Sequence, residues 1–215
     1  MKKWSKIYLK KVKELGGAEK YLRYKVREKD LFIKKLLYYA GPHGKVLEAG
    51  CGTGVISTHL CNCGLEVTAI DKDRGMLKVA RIISKKYPQK PNFKRVDLFD
   101  LCFPVDYYDL VFSHGVLEHF SDEQIVTLIK KQLQISKTLI FSVPSNYLSS
   151  KDRYFGNERF LGIEKWKRLV DKTNSQIIET FGFHYIIGWK KFWDTLIRGK
   201  IFGPSPYLTF VLRKK

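Results

Sequence analysis

The stretch that most constrains this chain is Lys45-Val46-Leu47-Glu48-Ala49-Gly50-Cys51-Gly52-Thr53-Gly54. An apolar run ends in a carboxylate and is followed by three glycines on alternate positions. That pattern reads as a buried parallel strand entering a turn whose backbone must pass close to something, since glycine has no Cβ and tolerates positive φ. The residues that follow, Val55 to Leu60, can begin a helix whose first amides face the turn. Strand, glycine turn and helix together make a nucleotide-binding corner of an open α/β sheet.

The rest of the chain supplies the sheet that such a corner needs. Short apolar runs over 65–71, 93–97, 107–113 and 138–143 read as further strands, and 183–190 and 207–213 as two more. Between them lie helical stretches from Asp73 to about Lys86, from Ser121 or Asp122 to about Gln134, and over 164–180. Two helices, over 5–15 and 18–40, precede the corner. The expected fold is α/β: a doubly wound, seven-stranded, mostly parallel sheet with N-terminal helices and an antiparallel last strand at its edge. One domain of 215 residues accommodates it. Its expected parts are a helical cap over 1–43, a cofactor-binding core over 44–144, a substrate lid over 145–162, and a C-terminal helix with edge strands over 163–215.

The net charge of +19 is unevenly placed. Residues 1–45 carry 14 basic and 4 acidic side chains, residues 46–145 carry 12 and 11, and residues 146–215 carry 14 and 6. A nearly neutral core between basic ends suggests attraction to an anionic substrate or surface. No apolar run reaches the roughly 20 residues that span a bilayer, and the basic N-terminus lacks the apolar core of a secretory signal. A cytoplasmic protein is expected, with surface association to a membrane as a further option. Cys51, Cys61, Cys63 and Cys102 show no paired metal-ligand spacing, so no metal site is expected.

The identity of the nucleotide follows by elimination and then by resemblance. A dinucleotide turn needs Gly-x-Gly-x-x-Gly, but counting from Gly50 the third position is Val55, and from Gly52 it is Ser57. A phosphate loop fails too, since no Gly-Lys-Ser or Gly-Lys-Thr follows. The remaining Glu-x-Gly-x-Gly-x-Gly resembles motif I of the class I S-adenosylmethionine-dependent methyltransferases. The likeness extends to Asp71, to Asp97, and to the string Asp109-Leu110-Val111-Phe112-Ser113-His114-Gly115-Val116-Leu117-Glu118-His119-Phe120, which is close to the small-molecule branch of that superfamily. It covers about residues 44–144.

The resemblance implies S-adenosylmethionine as cofactor and a set of contacts for it. Glu48, Gly50, Cys51, Gly52 and Gly54 would meet the methionine and ribose side. Asp71, 23 residues beyond Glu48, would take the ribose hydroxyls, a spacing that suits a ribose carboxylate, with Lys72 beside it. Asp97 and Leu98 would meet the adenine amine, Met76 and Ile70 would sandwich its ring, and Ser113, His114 and Gly115 would line the methyl-donor end. Candidate bases are His114 and His119, with Glu118 third, since histidine titrates near neutrality.

The acceptor is expected to meet the N-terminal helices and the connection after the fifth strand, where Tyr147, Arg153, Tyr154 and Arg159 are candidate substrate residues. A connection of that length commonly has a function. The basic flanks favour an acidic or lipid-like small molecule, methylated at O, N or C. The Asn-Pro-Pro-Tyr tetrapeptide of base-amine methyltransferases is missing: the corresponding stretch is Ser113-His114-Gly115-Val116. Alternatives are an RNA or protein methyltransferase that uses the basic flanks, and a non-catalytic scaffold subunit. Trp189 to Arg198 interleaves aromatic and basic residues and could meet an anionic membrane or single-stranded RNA.

Overall fold

The computed structural model describes residues 3–148, 151, 156–183 and 205–215. Its seven-stranded sheet runs in the order β3-β2-β1-β4-β5-β7-β6. The strands are β1 (Lys45–Ala49), β2 (Glu66–Asp71), β3 (Asn92–Arg95), β4 (Tyr108–His114), β5 (Ser136–Pro144), β6 (Ser175–Phe183) and β7 (Tyr207–Lys214). The first five are parallel, and β7 is antiparallel to both β5 and β6. The order in which strands are added reverses between β1 and β4, placing a topological switch point at the carboxyl ends of those parallel strands, where open α/β sheets bind ligands.

Helices cover both faces because successive strand residues point to opposite sides. Leu47, Val111, Leu139 and Phe141 meet α6 (Asp122–Gln134) and α7 (Ile163–Val170) through Ile125, Leu128, Trp166 and Leu169. Their neighbours Val46, Leu110, Phe112 and Ile140 meet α3 (Asp30–Ala40) and α4 (Val55–Asn62) through Phe32, Leu36, Ile56 and Leu60. A third cluster joins α1 (Lys3–Glu14) and α2 (Ala18–Glu28) to α4 and to α5 (Arg74–Ser84) through Val12, Tyr21, Leu22, Val55, Val79 and Ile83. That cluster lays the N-terminal helices beside the glycine corner. No helix among the described residues is long and apolar enough to cross a membrane.

Three local expectations need correction. The single helix expected over 18–40 is two, because Lys29 leaves helical geometry at φ −111°, ψ 19°. The helix expected over 164–180 stops at Val170. A 3-10 turn over Asp171–Thr173 and a left-handed Asn174 (φ 52°) lead instead into β6. Asparagine adopts that conformation more readily than most residues, and the Ile-rich stretch after it finds a partner in β7. Finally, β7 is antiparallel as expected but lies inside the sheet, with β6 at the edge. Phe210, Val211 and Leu212 are fully buried, which suits a strand covered on both faces. The expected strand over 183–190 and the aromatic-basic stretch 189–198 fall outside the described residues, save Phe183 at the end of β6.

Candidate functional site

The corner is held by its own backbone and by two carboxylates. The Gly50 and Cys51 amides both donate to the Ile70 carbonyl, at 2.9 and 2.8 Å, and the Gly54 amide donates to the Cys51 carbonyl at 2.8 Å. Gly52 N–H donates to Asp71 Oδ2 at 2.9 Å, while Asp73 N–H donates to the other oxygen, Oδ1, at 2.7 Å. At the start of α4, the Ser57 amide donates to Glu48 Oε2 at 3.1 Å, and the Ser57 hydroxyl donates to the same atom. The Gly50, Cys51, Gly52, Gly54 and Ser57 amides, of the kind a phosphate would use in such a turn, are thus already taken by acceptors within the chain. The corner suits a nucleoside ligand that carries no phosphate.

Two glycines show why the turn is built this way. Gly54 sits at φ +64°, and a Cβ there would lie 2.8 Å from both Ala80 Cβ and Phe93 Cε1. It lets α4 close against α5 and β3. Gly52 sits at φ +52°, and a Cβ there would meet only the Met76 methyl at 3.9 Å. Its bare face therefore looks into open space.

That space is a cavity of about 580 Å³. Glu48, Gly50, Cys51, Gly52, Asp71, Lys72, Met76, Asp97, Leu98, His114 and Gly115 all line it. Three of the expected contacts do not. Gly54 packs against α5 as described, and Ile70 is fully buried in the sheet core, offering the turn only its carbonyl. Ser113 is buried on β4, its hydroxyl without a hydrogen-bond partner among the described residues. Asp97 caps the short turn Leu98–Asp100 through the Phe99 amide at 3.1 Å, and the Lys72 ammonium lies 3.9 Å from its other oxygen.

The rest of the cavity lining comes from elements remote in sequence. Trp4, Tyr8 and Lys11 of α1, Tyr21 and Lys25 of α2, and Lys29 at the α2–α3 break all reach it. So do Val116, Glu118, His119 and Phe120 after β4, Asn157 and Glu158 from the connection after β5, and Tyr207 at the start of β7. The expectation that the N-terminal helices and the post-β5 connection face the acceptor is consistent with this placement. The particular residues expected in the connection fare differently. Tyr147 is exposed and away from the cavity. Arg159 spends its guanidinium on the Phe120 carbonyl and the Asp122 carboxylate, each at 2.6 Å, which fastens the connection to the start of α6. Arg153 and Tyr154 lie outside the described residues.

The two histidines are placed differently. The His114 ring sits among Tyr207, Phe32 and Phe183, with centroids 5.0, 5.5 and 5.7 Å away. His119 is partly open to solvent, has Trp4 edge-on at 6.1 Å, and places Nδ1 3.1 Å from Asn157 Oδ1. Burial pushes the carboxyls of Glu48 and Glu118 up to about 8. For Glu118 the neighbouring Glu158 carboxylate adds to the rise. Burial likewise pushes the Lys29 ammonium down to about 8, helped by Lys25 and opposed by Glu28 and Glu48. Among the described residues no group of three or more His, Cys, Asp or Glu side chains could hold a metal ion.

Comparison with known proteins agrees with this geometry. Residues 46–138 match the family model described as a methyltransferase domain. The chain is 24% identical over 193 residues to a ubiquinone biosynthesis O-methyltransferase of Pelagibacter ubique, covering 81% of this chain and 77% of that protein. It is 32% identical over 135 residues to a malonyl-[acyl-carrier protein] O-methyltransferase of Bacillus cytotoxicus, covering 60% of this chain but only 42% of that relative. Among solved structures it resembles magnesium protoporphyrin IX methyltransferase from Synechocystis PCC 6803 with bound S-adenosylmethionine. There the TM-score is 0.65 at 17% identity, over 91% of this chain and 81% of that one.

Two outcomes follow from the geometry. Gly54→Ala should lose about 1–2 kcal/mol from its left-handed backbone and a further ~1–3 kcal/mol from overpacking, read in denaturant melts. Gly52→Ala should lose only the first amount, while its new methyl intrudes on the cavity and weakens ligand binding. The second outcome concerns pH. Glu118 keeps its proton in the folded chain up to about 8 but releases it near its ordinary 4.5 when unfolded. Stability should therefore fall as pH rises from 4.5 to 8, and Glu118→Gln should remove part of that slope; an unchanged slope would contradict the assignment.

Proposed function

The chain is an S-adenosylmethionine-dependent methyltransferase, and from that premise we propose that it methylates an oxygen of a small acidic or lipid-like acceptor, with His119 as the base. The observation that carries this reading is a single cavity lined both by the carboxylates Asp71 and Asp97 and by Trp4, Lys11 and His119. The similar proteins named for O-methylation of ubiquinone precursors and of malonyl-[acyl-carrier protein] support the choice of oxygen.

The residues present fit the cofactor. Asp71, held by the Gly52 and Asp73 amides, keeps lone pairs for two ribose hydroxyls. Asp97 would accept from the adenine amine, with Met76 and Leu98 as apolar cover. Glu48, whose carboxyl is pushed up to about 8 by burial, would ionise against the methionine ammonium, and Lys25 and Lys29 would offer cations to the methionine carboxylate. When bound, the cofactor supplies a methyl carbon activated by a positively charged sulfur.

The chain's own task is then alignment, exclusion of water and removal of one proton. Trp4, Tyr8 and Phe120 present apolar surface to the acceptor side and exclude water. Lys11 gives that side a positive charge that suits an acidic acceptor. His119 takes the acceptor's hydroxyl proton as the oxygen attacks. His114, enclosed by three aromatic rings, is better placed to pack than to exchange protons with an acceptor.

The test is a screen for S-adenosylhomocysteine formation with phenolic and carboxylic acids, lipid-like quinol precursors, amines and RNA. Turnover is expected with the acidic or lipid-like hydroxyl compounds. His119→Ala should lower it by about 10²–10⁴-fold while cofactor affinity stays unchanged. Turnover confined to amines or RNA, or full activity of His119→Ala, would overturn the reading.

A further inference from the structure

The connection after β5 reaches the cavity through consecutive residues. Asn157 meets the His119 ring, and Glu158 lines the wall beside Glu118. Arg159 is fixed three times: its amide donates to the Glu118 carbonyl at 3.0 Å, and its guanidinium to the Phe120 carbonyl and to Asp122. Lys165 of α7 adds a second cation to Asp122. The backbone beside Asn157 is thus clamped to the turn that carries His119, and the Trp4 edge limits the imidazole on another side.

The chemistry of the contact fixes more than position. An amide oxygen only accepts hydrogen bonds. As the Asn157 side chain is placed, with Oδ1 3.1 Å from Nδ1, Nδ1 must carry the hydrogen, which leaves the lone pair on Nε2. A base needs that lone pair on the nitrogen that meets the acceptor, and the wrong tautomer cannot take the proton.

We propose that Asn157 is a positioning residue that holds His119 in the Nδ1–H tautomer, so that the post-β5 connection completes the proton-accepting half of the site. This rests on the reading of His119 as the base. Bonds and protons balance: the acceptor oxygen would form its bond to the methyl carbon as the carbon–sulfur bond breaks with its electron pair left on sulfur, the oxygen's proton would pass to Nε2, and the imidazolium would return that proton to solvent after product leaves. Among the described residues, Glu118 on the same turn, Glu158 on the connection and Lys11 of α1 line the same cavity as His119, and Arg159 is bonded to the carbonyls on either side of that histidine.

The tautomer can be read without an acceptor, by long-range nitrogen–proton NMR on the full chain labelled with ¹⁵N-histidine. Wild type should show His119 with Nδ1–H, and Asn157→Ala should show a mixture of tautomers. Asn157→Asp, which still accepts, should keep Nδ1–H. Unchanged cofactor affinity and melting of the variants would show that they fold. An Nε2–H ring in wild type, or a folded Asn157→Ala with the wild-type tautomer, would overturn the proposal. Full activity of His119→Ala in the acceptor screen would instead overturn the base reading on its own, since the tautomer measurement is independent of turnover.

Discussion

The site depends on how Asp71 is bound. One oxygen takes the amide of the glycine turn and the other takes the amide that opens the next helix, so a single carboxylate ties the end of β2 to the turn after β1. Burial raises its proton affinity and the two amides oppose that rise. The same contact determines what the turn can bind. With the Gly52 amide given to Asp71, and the Ser57 amide at the start of α4 given to Glu48, the corner offers acceptors where a phosphate site would offer donors. A ligand rich in hydroxyls and positive charge is the complement of that arrangement.

Around this corner the buried charges form a complementary set. Glu48 and Lys29 are each costly to ionise in their buried positions, and each interacts favourably with the other. A zwitterionic methionine tail carries the opposite sign for each. The break at Lys29, which divides what would be one long helix, gives that lysine its approach to the cavity. Local helix geometry is given up there in a way that serves the site.

What could be read from the chain alone follows the range of the interactions. The glycine turn, the carboxylates ending β2 and following β3, and the string after β4 are local features of strand ends, and their spacing carries the part of the cavity lining around the glycine corner. The interior position of β7 is a matter of long-range pairing, and the alternation of its residues does not distinguish edge from interior. Ile70 and Met76 are both apolar neighbours of the corner in sequence, yet only Met76 has its side chain at the cavity, because alternation along β2 turns Ile70 into the core. Trp4, Lys29 and Asn157 reach the cavity through packing between remote elements, for which no short spacing exists. Arg159 looked like a substrate contact by charge, but its carbonyl and carboxylate partners lie on the neighbouring turn and helix.

The claim on which the rest stands is that this corner holds a phosphate-free nucleoside cofactor through Asp71. Calorimetric titration of S-adenosylhomocysteine into the wild-type chain and into Asp71→Ala tests it most directly. One equivalent should bind the wild type, NAD should fail to compete, and Asp71→Ala should weaken binding by about ten- to a hundredfold, as loss of charged hydrogen bonds worth ~1.5–3 kcal/mol requires. Equal binding by the two chains, or displacement by NAD, would contradict it.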